Sequence, residues 1–301
     1  MKTRFNVTEE EHGKRLDIML VERNKDWTRT QIKQWIDEAY VTVNGVSSKS
    51  SYKVKVKDVI IVDVPDAKPL ELEAVNLDLN IVYQDDVLLV IDKPSGLIVH
   101  PSSTSNAVTL VHGLLAEVDD LKDIGDRLRP GIVHRLDKDT SGLMVVAKDK
   151  DALLYLQKAL KEHKAKREYI ALVEGVVPHQ KGKIDAPIGR DPKQRKNMSV
   201  VQGGKPSITH FEVIERFPEQ TLIRCRLESG RTHQIRVHLK YIGFPVYGDP
   251  KYGRKKTDIE YGQFLHAERL GFNHPKSKEY LEFKSPLPDY FEAKLTELRG
   301  R

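Results

Sequence analysis

The sequence predicts an α+β protein of two domains, on three observations. The chain has 301 residues, and such a length suits about two domains. Its first 65 residues show two helical segments and then a small sheet. From Ile81 onward, short apolar strands mostly follow one another, and helices are expected chiefly at 151–163 and from Thr232. Strands that follow strands favour a mixed, largely antiparallel sheet over alternating βαβ units. We therefore predict a helix-helix-sheet module at 1–65, a linker at 66–80 and a larger sheet domain at 81–301.

The first module is predicted from helical spacing and a turn signal. Residues 15–24 read as a short helix that turns Leu16, Met19 and Leu20 inward. Thr28 followed by Gln31 is a capping box. The second helix then has apolar residues at helical spacing: Ile32, Trp35, Ile36 and Ala39. VTVNGV contains an Asn-Gly turn between two strands, and YKVKVKDVIIVDV alternates as a strand does.

This module resembles the RNA-binding domain first described in ribosomal protein S-four, over about residues 14–64. The match departs from the usual pattern at Thr28 and Lys57, which stand where a serine and a glycine are common. The resemblance implies that the module recruits RNA. On its second helix Arg29 and Lys33 lie one turn apart on the exposed face, and we expect both to contact phosphates.

The stretch GIVHRLDKDTSGLMVVAKD, residues 131–149, places a carboxylate between two apolar runs. In a strand, His134 would face one way and Arg135 and Asp137 the other. Asp137 would then end a strand anchored in the sheet, a rigid mount for a reactive group. The alternative is a structural aspartate that caps a turn with Thr140 and Ser141.

Two later stretches supply further candidates. REYIALVEG puts Tyr169 on a strand, where ordinary sheet packing would also explain it. LESGRTHQIRVHLKYIG predicts a helix capped by Thr232, with a buried stripe of Ile235, Leu239 and Ile242. Arg236 lies off that stripe, so it is either solvated or paired with a carboxylate that it keeps ionised.

Composition and missing motifs exclude several classes of protein. Lysine and arginine exceed the acids by six, and basic residues cluster at 161–168, 189–196, 224–231 and 251–256, which favours a polyanion partner. A single cysteine excludes an intrachain disulfide and a cysteine-rich zinc site. No phosphate-binding loop, serine elbow or paired-histidine metal motif is present. No apolar run suits a signal peptide or a membrane span, so we expect a cytoplasmic protein with no membrane partner and no metal.

Five stretches together resemble the RluA-type pseudouridine synthases, from about Ile81 to Phe291. They are DKPSGLIVHP, HRLDKDTSGLMVVAKD, REYIALVEG, SGRTHQIRVHL and LHAERLGFNHP, in family order. With an S-four-like domain in front, the subgroup that acts on large-subunit ribosomal RNA (23S rRNA), the D type, is the nearest likeness. The resemblance implies a pseudouridine synthase fold, an isomerase that turns uridine into pseudouridine, no cofactor and no protein partner. The substrate is ribosomal RNA or its assembling particle, with transfer RNA as the alternative.

The resemblance also implies roles for individual residues. Asp137 corresponds to the essential carboxylate, Tyr169 to the tyrosine that stacks on the target, and Arg236 to the basic partner of the aspartate. Arg135 would fill the gap left by a flipped base, and Ile235 would form the floor beneath the uracil. The remaining substrate-binding candidates are His134, Thr140, Arg231 and His233.

Two other functions remain open from the sequence. An RNA-binding or ribosome-assembly factor could keep this fold without using the site. A glycosidic hydrolase would need a second catalytic carboxylate about 5–10 Å from the first, and no motif nominates one. The sequence does not identify the modified uridines, nor whether Asp137 attacks the sugar, adds to the base or assists elimination. A monomer is expected.

Overall fold

The computed structural model describes residues 2–24, 27–63, 72–101, 107–254 and 260–300. The chain divides into two compact units, Met1–Glu71 and Leu72–Arg301. Within the described ranges no helix is both long and apolar enough to cross a bilayer. The first part of the predicted linker, residues 66–71, and the last two lysines of the basic cluster at 251–256 lie outside the described residues.

The first unit packs two helices against a four-stranded antiparallel sheet. Its elements are β1 (Lys2–Asn6), α1 (Leu16–Arg23), α2 (Arg29–Asp37), β2 (Val41–Val43), β3 (Val46–Ser47) and β4 (Val59–Asp63). The strand order is β1-β4-β2-β3. Thr28 and Gln31 form the predicted capping box at the start of α2. Leu16, Met19, Leu20, Ile32 and Ile36 are buried in the core, as their spacing predicts.

Three details of this unit differ from the sequence prediction. Strand β1 was not predicted; it pairs with β4 at one edge of the sheet. Of the described part of the alternating segment, residues 52–63, only Val59–Asp63 forms a strand, because the backbone of Lys57 adopts a positive φ of 71° and turns the chain just before it. Ala39 lies beyond the end of α2 with φ 62° and is exposed, so it adds nothing to the buried face of the helix.

The second unit is built around one large sheet with helices beside it. Its strands are β5 (Ile81–Gln84), β6 (Leu88–Lys93), β7 (Gly125–Asp126), β8 (Arg129–Pro130), β9 (Ser141–Ala147), β10 (Lys166–Glu174), β11 (Lys181–Asp185), β12 (Ile188–Arg190), β13 (Met198–Val200), β14 (Ile208–Arg216), β15 (Gln220–Leu227), β16 (Leu265–Asn273) and β17 (Tyr280–Lys284). Its helices are α3 (Leu110–Glu117), α4 (Lys150–Lys161), α5 (Gln234–Tyr241) and α6 (Asp289–Arg299).

The large sheet has nine strands in the order β11-β14-β15-β10-β16-β9-β6-β5, with β17 also paired to β16. All of its ladders are antiparallel except that of β16 with β9, which is parallel. The predicted α+β class with a mixed, largely antiparallel sheet is confirmed. All seven residues of β9 are buried, since this strand lies in the middle of the sheet with both faces covered.

Several predicted elements of this unit are wrong. Residues 131–136 do not form a strand: Ile132 makes one isolated bridge to Val146, and the backbone from Val133 to Asp139 is irregular. Residues 97–101 are likewise not a strand. Helix α5 begins at Gln234 with His233 as N-cap, not Thr232, because His233 has a left-handed φ of 56°. The sequence also did not predict α3 and α6, which are short helices of 8 and 11 residues.

Part of the predicted linker packs on the second unit. Leu72 is buried in its large hydrophobic core. The Val75 N–H donates to His112 O (3.0 Å) and the Asp92 N–H donates to Asn80 O (2.9 Å). Residues 72–80 therefore cover this unit rather than hang free of it.

The parallel junction between β9 and β16 depends on a glycine. Gly142 has φ +111°, and a Cβ at this position would lie 2.6 Å from the Ala267 backbone nitrogen. No side chain fits there, because β9 and β16 approach each other backbone to backbone. Gly142 comes five residues after Asp137, so this contact anchors the end of the segment that carries the carboxylate.

We expect Gly142→Ala to lower the free energy of unfolding of the second unit more than Gly203→Ala does. Gly203 also has a positive φ (+77°) but has open space around its Cβ position. Both variants lose about 1–2 kcal/mol to the backbone conformation, and Gly142→Ala loses about 1–3 kcal/mol more to the steric clash. Urea unfolding followed by circular dichroism measures the difference, and equal losses in the two variants would contradict the close-approach argument.

Candidate active site

A cavity of about 570 Å³ opens in the second unit, within the ~300–1,000 Å³ usual for small-ligand sites. Its wall comes from the irregular segment before β9, from β10, and from the loop and helix around α5. The lining includes the following candidates from the sequence: His134, Arg135, Asp137, Thr140, Tyr169, Arg231, His233, Ile235 and Arg236. All candidates assigned to the second domain thus meet in one place.

Asp137 projects into this cavity from the loop between β8 and β9. Its side chain is 16% exposed. Its Oδ2 accepts a hydrogen bond from Arg236 Nη1 at 2.7 Å. Its Oδ1 accepts no hydrogen bond from any residue that the structure describes, and His233 Nε2 lies 3.8 Å away. One carboxylate oxygen is therefore held and the other remains available to a ligand.

Arg236 is held in turn by a second carboxylate. Its Nε and Nη2 donate to Asp249 Oδ2 (2.7 Å) and Oδ1 (2.8 Å) in a bidentate pair. Asp249 also accepts the Lys251 and Tyr252 backbone N–H groups. Burial opposes the charge on Arg236, but the hydrogen bonds and charges of Asp249 and Asp137 outweigh it and raise the pKa of the guanidinium. Burial acts to raise the pKa of Asp249, yet Arg236 and the two N–H groups lower it.

Arg236 lies off the predicted stripe of α5 but is buried as well. Its side chain is only 4% exposed, and six consecutive residues of α5, 234–239, are buried. Both faces of the helix are covered, one by the sheet and the other by the loops that carry Asp137 and Asp249. Of the two alternatives for this arginine, solvated or paired with a carboxylate, the second is the one observed.

His233 is oriented by Tyr252. The Met198 N–H donates to the Tyr252 hydroxyl oxygen (3.0 Å), which lies 2.7 Å from His233 Nδ1. This contact fixes the ring so that its Nε2 faces Asp137 Oδ1 at 3.8 Å. Burial lowers the pKa of His233, the charge of Asp137 opposes this, and Arg236 adds to the lowering.

Tyr169 and Ile235 supply the apolar wall. Both are buried and both line the cavity. Burial raises the pKa of the Tyr169 phenol, so the ring is uncharged at neutral pH. Arg231 is exposed, and its Nε donates to Pro206 O at 3.3 Å. This apolar wall, which is bordered by the cationic side chain of Arg231, suits a flat and neutral ring system.

His134, Arg135 and Thr140 shape the loop around Asp137. His134 Nε2 accepts the Val145 N–H at 3.3 Å, and burial lowers its pKa to about 3, so this ring is neutral. Thr140 Oγ1 accepts from Gln263 Nε2 (3.0 Å), and its N–H donates to Asp137 O (3.2 Å). Arg135 is exposed, with its Nη1 3.3 Å from His100 Nε2.

A buried lysine ties the Asp137 loop to the preceding strand. Lys93 is 1% exposed, and its Nζ donates to Pro94 O (2.8 Å), Leu97 O (3.0 Å) and Lys138 O (2.9 Å). Burial lowers the pKa of this amine to about 7, although Asp139 and Asp137 act to raise it. The Lys93 side chain thus holds the backbone of Lys138, the residue next to Asp137.

Sequence reasoning missed Lys93, Asp249 and Tyr252. Lys93 is the second residue of the stretch DKPSGLIVHP, which contributed only to the family resemblance, and an ionisable residue at the end of an apolar strand was an available signal. Asp249 precedes a proline, next to a segment that was treated as a basic cluster. Among the described residues, no group of three or more His, Cys, Asp or Glu side chains is placed to hold a metal ion.

The two candidates of the first unit lie on α2. Arg29 Nη2 is 2.8 Å from Asp17 Oδ2, while the arginine side chain stays 60% exposed. Lys33 is exposed. Asp17, which is buried, also pairs with Arg15 (2.9 Å). Part of the charge of Arg29 is therefore compensated within the unit, and that of Lys33 faces solvent.

Family models match both parts of the chain. A model described as RNA pseudouridylate synthase matches residues 87–241, and a model of the S4 domain matches residues 14–60. The first match contains every candidate residue of the second unit and all of the cavity lining except Leu265. The second match agrees with the resemblance of the N-terminal module.

Relatives agree with these matches along nearly the whole chain. A Bacillus subtilis protein named "Uncharacterized RNA pseudouridine synthase YlyB" is 49% identical over 98% of this chain and 97% of its own. A Neisseria meningitidis serogroup A protein named "Ribosomal large subunit pseudouridine synthase D" is 43% identical over 95% of this chain and 79% of its own. The solved structure "Human RNA Pseudouridylate Synthase Domain Containing 4" is 26% identical, covers 73% of this chain and 93% of its own, and has a TM-score of 0.58.

We expect Asp249→Asn to lower the free energy of unfolding of the second unit by about 3–5 kcal/mol, because it leaves the buried Arg236 without a bidentate counter-charge. The matched control is Glu215→Gln, which removes the carboxylate partner of Arg299 from a partly exposed ion pair. That change should cost about 0–1 kcal/mol. Urea unfolding measures both, and a loss under about 1 kcal/mol in Asp249→Asn would contradict the dependence of Arg236 on this partner.

The buried amine of Lys93 should make stability depend on pH. Its pKa is about 7 in the folded chain and about 10.4 when unfolded. The unfolded state therefore binds more protons between these values, and stability rises with pH. The free energy of unfolding of the wild type, relative to that of Lys93→Met, should increase by about 2–3 kcal/mol from about pH 7 to about pH 9.5. A flat difference over this range would mean that the amine stays charged when buried.

Proposed function

This chain belongs to the RNA pseudouridylate synthase family and is an isomerase that converts uridine in RNA to pseudouridine; from that premise we propose that its substrate is large-subunit ribosomal RNA and that its reaction depends on Asp137. The observation that carries the mechanism is the Asp137 carboxylate, held through one oxygen by Arg236 and open at the other. The relatives named ribosomal large subunit pseudouridine synthase D, 43% and 42% identical, support the substrate. Such a substrate would place the enzyme in the cytoplasm.

The reaction needs an anionic group beside the sugar and the base. In the isomerisation the bond from uracil N1 to the sugar C1′ breaks, the base rotates, and a bond from C5 to C1′ forms. The hydrogen of C5 is released, and N1 ends with a proton. Product and substrate are isomers, so no electrons are gained or lost and no cofactor is called for. A carboxylate can act at the sugar or at the base and leave again.

The residues around Asp137 have distinct roles in this proposal. Arg236, itself held by Asp249, binds one oxygen of Asp137 and leaves the other directed at the target. Tyr169 stacks on the uracil, and Ile235 forms the apolar floor beneath it. The base is thereby held between apolar surfaces while the carboxylate reaches its edge or its sugar.

Three further residues keep the carboxylate in its place. His134 and Thr140 hold the loop of Asp137 in shape through their hydrogen bonds to the sheet and to Gln263. His233 borders the free oxygen of Asp137 and presents a neutral ring to the bound nucleotide. These contacts fix the direction from which Asp137 approaches its target.

The target uridine must leave its helix to reach the cavity. Extrusion of a base costs about a few kcal/mol, and contacts to the RNA backbone must offset this cost. Arg135 and Arg231 stand at the exposed side of the cavity, where Arg135 can fill the gap left by the base. The N-terminal domain adds affinity, with Lys33 and the exposed part of Arg29 as its phosphate contacts.

The test is tritium release from large-subunit ribosomal RNA labelled at C5 of uridine, as naked RNA and as ribosomal particles. We expect release by the wild type and a fall of at least about 10³-fold in Asp137→Asn, as for removal of a catalytic nucleophile. Asp139→Asn, two residues along the same loop, is the matched control and should retain activity.

Two results would overturn parts of this proposal. Release by Asp137→Asn at the wild-type rate would remove the aspartate mechanism. Wild-type release from labelled transfer RNA, with none from ribosomal RNA in either form, would move the substrate to transfer RNA.

A further inference from the structure

Arg167 is a buried cation of the cavity wall with no role in the site described so far. It lies on β10 two residues before Tyr169, so both side chains point to the same face of the sheet, and both line the cavity. The residue is only 7% exposed, and its Nε is buried with no hydrogen-bond partner. Among the described residues, none accepts a hydrogen bond from its guanidinium or forms an ion pair with it.

A buried guanidinium without a counter-charge is costly. Removing a cation from water costs about several kcal/mol unless an anion or hydrogen-bond acceptors replace the water. Arg236, which is also buried, follows that rule, because two carboxylates accept its hydrogen bonds at 2.7–2.8 Å. Arg167 departs from the rule at the wall of the cavity that a ligand would enter.

Among the described residues, no carboxylate that lines the cavity forms an ion pair with Arg167. Asp137 is the acid that lines the cavity, and Arg236 already holds its Oδ2. His134 accepts a hydrogen bond from the backbone and is uncharged, and the Tyr169 phenol is uncharged as well. An RNA chain carries an anion on every nucleotide and can bring to the cavity the counter-charge that Arg167 lacks among the described residues.

The guanidinium of Arg167 lies close to the backbone of Gly230. A Cβ at Gly230 would lie 2.7 Å from Arg167 Nη1. The glycine therefore makes room for the guanidinium beside the Ser-Gly turn that precedes α5. Ser229 and Arg231 flank Gly230 and also line the cavity, so Arg231 adds a second positive charge to the cavity wall.

We propose that Arg167 binds a backbone phosphate of the RNA at the target nucleotide, on the wall that it shares with Tyr169. The contact would fix the extruded nucleotide by its phosphate while Asp137 acts on its base and sugar. A planar guanidinium suits a phosphate because it can donate two parallel hydrogen bonds to it. This assignment rests on the proposed function only in taking the Asp137 cavity as the uridine site.

Binding and turnover of the same RNA separate this contact from a structural role. The probe is a large-subunit ribosomal RNA fragment carrying a single uncharged methylphosphonate linkage, placed in turn at each linkage around the target uridine. Arg167→Gln should weaken binding of the unmodified fragment at least about tenfold, as for loss of a charge-assisted hydrogen bond. The magnitude of the slope of the log association constant against the log salt concentration should decrease by about one. At one linkage, the methylphosphonate should weaken binding by the wild type as much as Arg167→Gln weakens binding of the unmodified fragment. The same methylphosphonate should not weaken binding by Arg167→Gln any further.

Two variants control for folding and for general charge. Arg226→Gln removes an exposed arginine of β15 whose cross-strand partner is Glu168, which places it on the other face of the sheet. It should leave the linkage profile unchanged. Arg167→Lys keeps the charge and should recover part of the affinity of Arg167→Gln at the same linkage.

The outcomes distinguish this assignment from the proposed function. Additive losses from Arg167→Gln and the methylphosphonate at every linkage would overturn the phosphate contact, whatever the turnover. A wild type that binds the fragment with the non-additive linkage but releases no tritium from it would uphold the contact and count against the proposed substrate or mechanism. If Arg167→Gln unfolds at the assay temperature, Arg167→Lys replaces it. The methylphosphonate at the one linkage should then weaken binding of the wild type more than binding of Arg167→Lys, and equal losses in the two proteins at every linkage would overturn the contact.

Discussion

The site depends on one buried guanidinium shared by two carboxylates. Arg236 uses a bidentate pair to bind Asp249 and its remaining nitrogen to bind Asp137. Asp137 is therefore held in position through one oxygen while the other stays open to a ligand, on the rigid mount that a reactive carboxylate needs.

The rest of the second unit brings these three side chains together from distant parts of the chain. Asp137 comes from an irregular loop, Arg236 from α5 and Asp249 from the turn before Tyr252. The described residues of this loop form no strand ladder. The Lys93 side chain donates to the Lys138 carbonyl in the loop, and the close contact of Gly142 with β16 anchors the end of the loop. A loop fixed in this way combines an accessible carboxylate with a rigid mount.

The order of the motifs and the residue types in them predicted which residues form the candidate site. The periodicity of the sequence did not predict how these residues are arranged. Asp137, Tyr169 and Arg236 were chosen from the sequence and do line one cavity, although no strand presents Asp137. The spacing of α5 placed Arg236 off the buried stripe, because periodicity shows which side packs on the helix's own sheet and not which loops cover the other side. Arg167 belongs to the basic cluster at 161–168, and its burial was not predicted for the same reason.

The sequence by itself determined the α+β class, the N-terminal RNA-binding domain, most long strands of the sheet and the residues of the candidate site. These follow from patterns within short windows: alternation, capping boxes, Asn-Gly turns and motifs. Only the tertiary structure decided that Lys93 and Asp249 support the site, that Asp137 keeps one oxygen free and that Arg167 lacks a partner among the described residues. Burial and charge pairing depend on residues that are far apart in the chain, so no local window contains them.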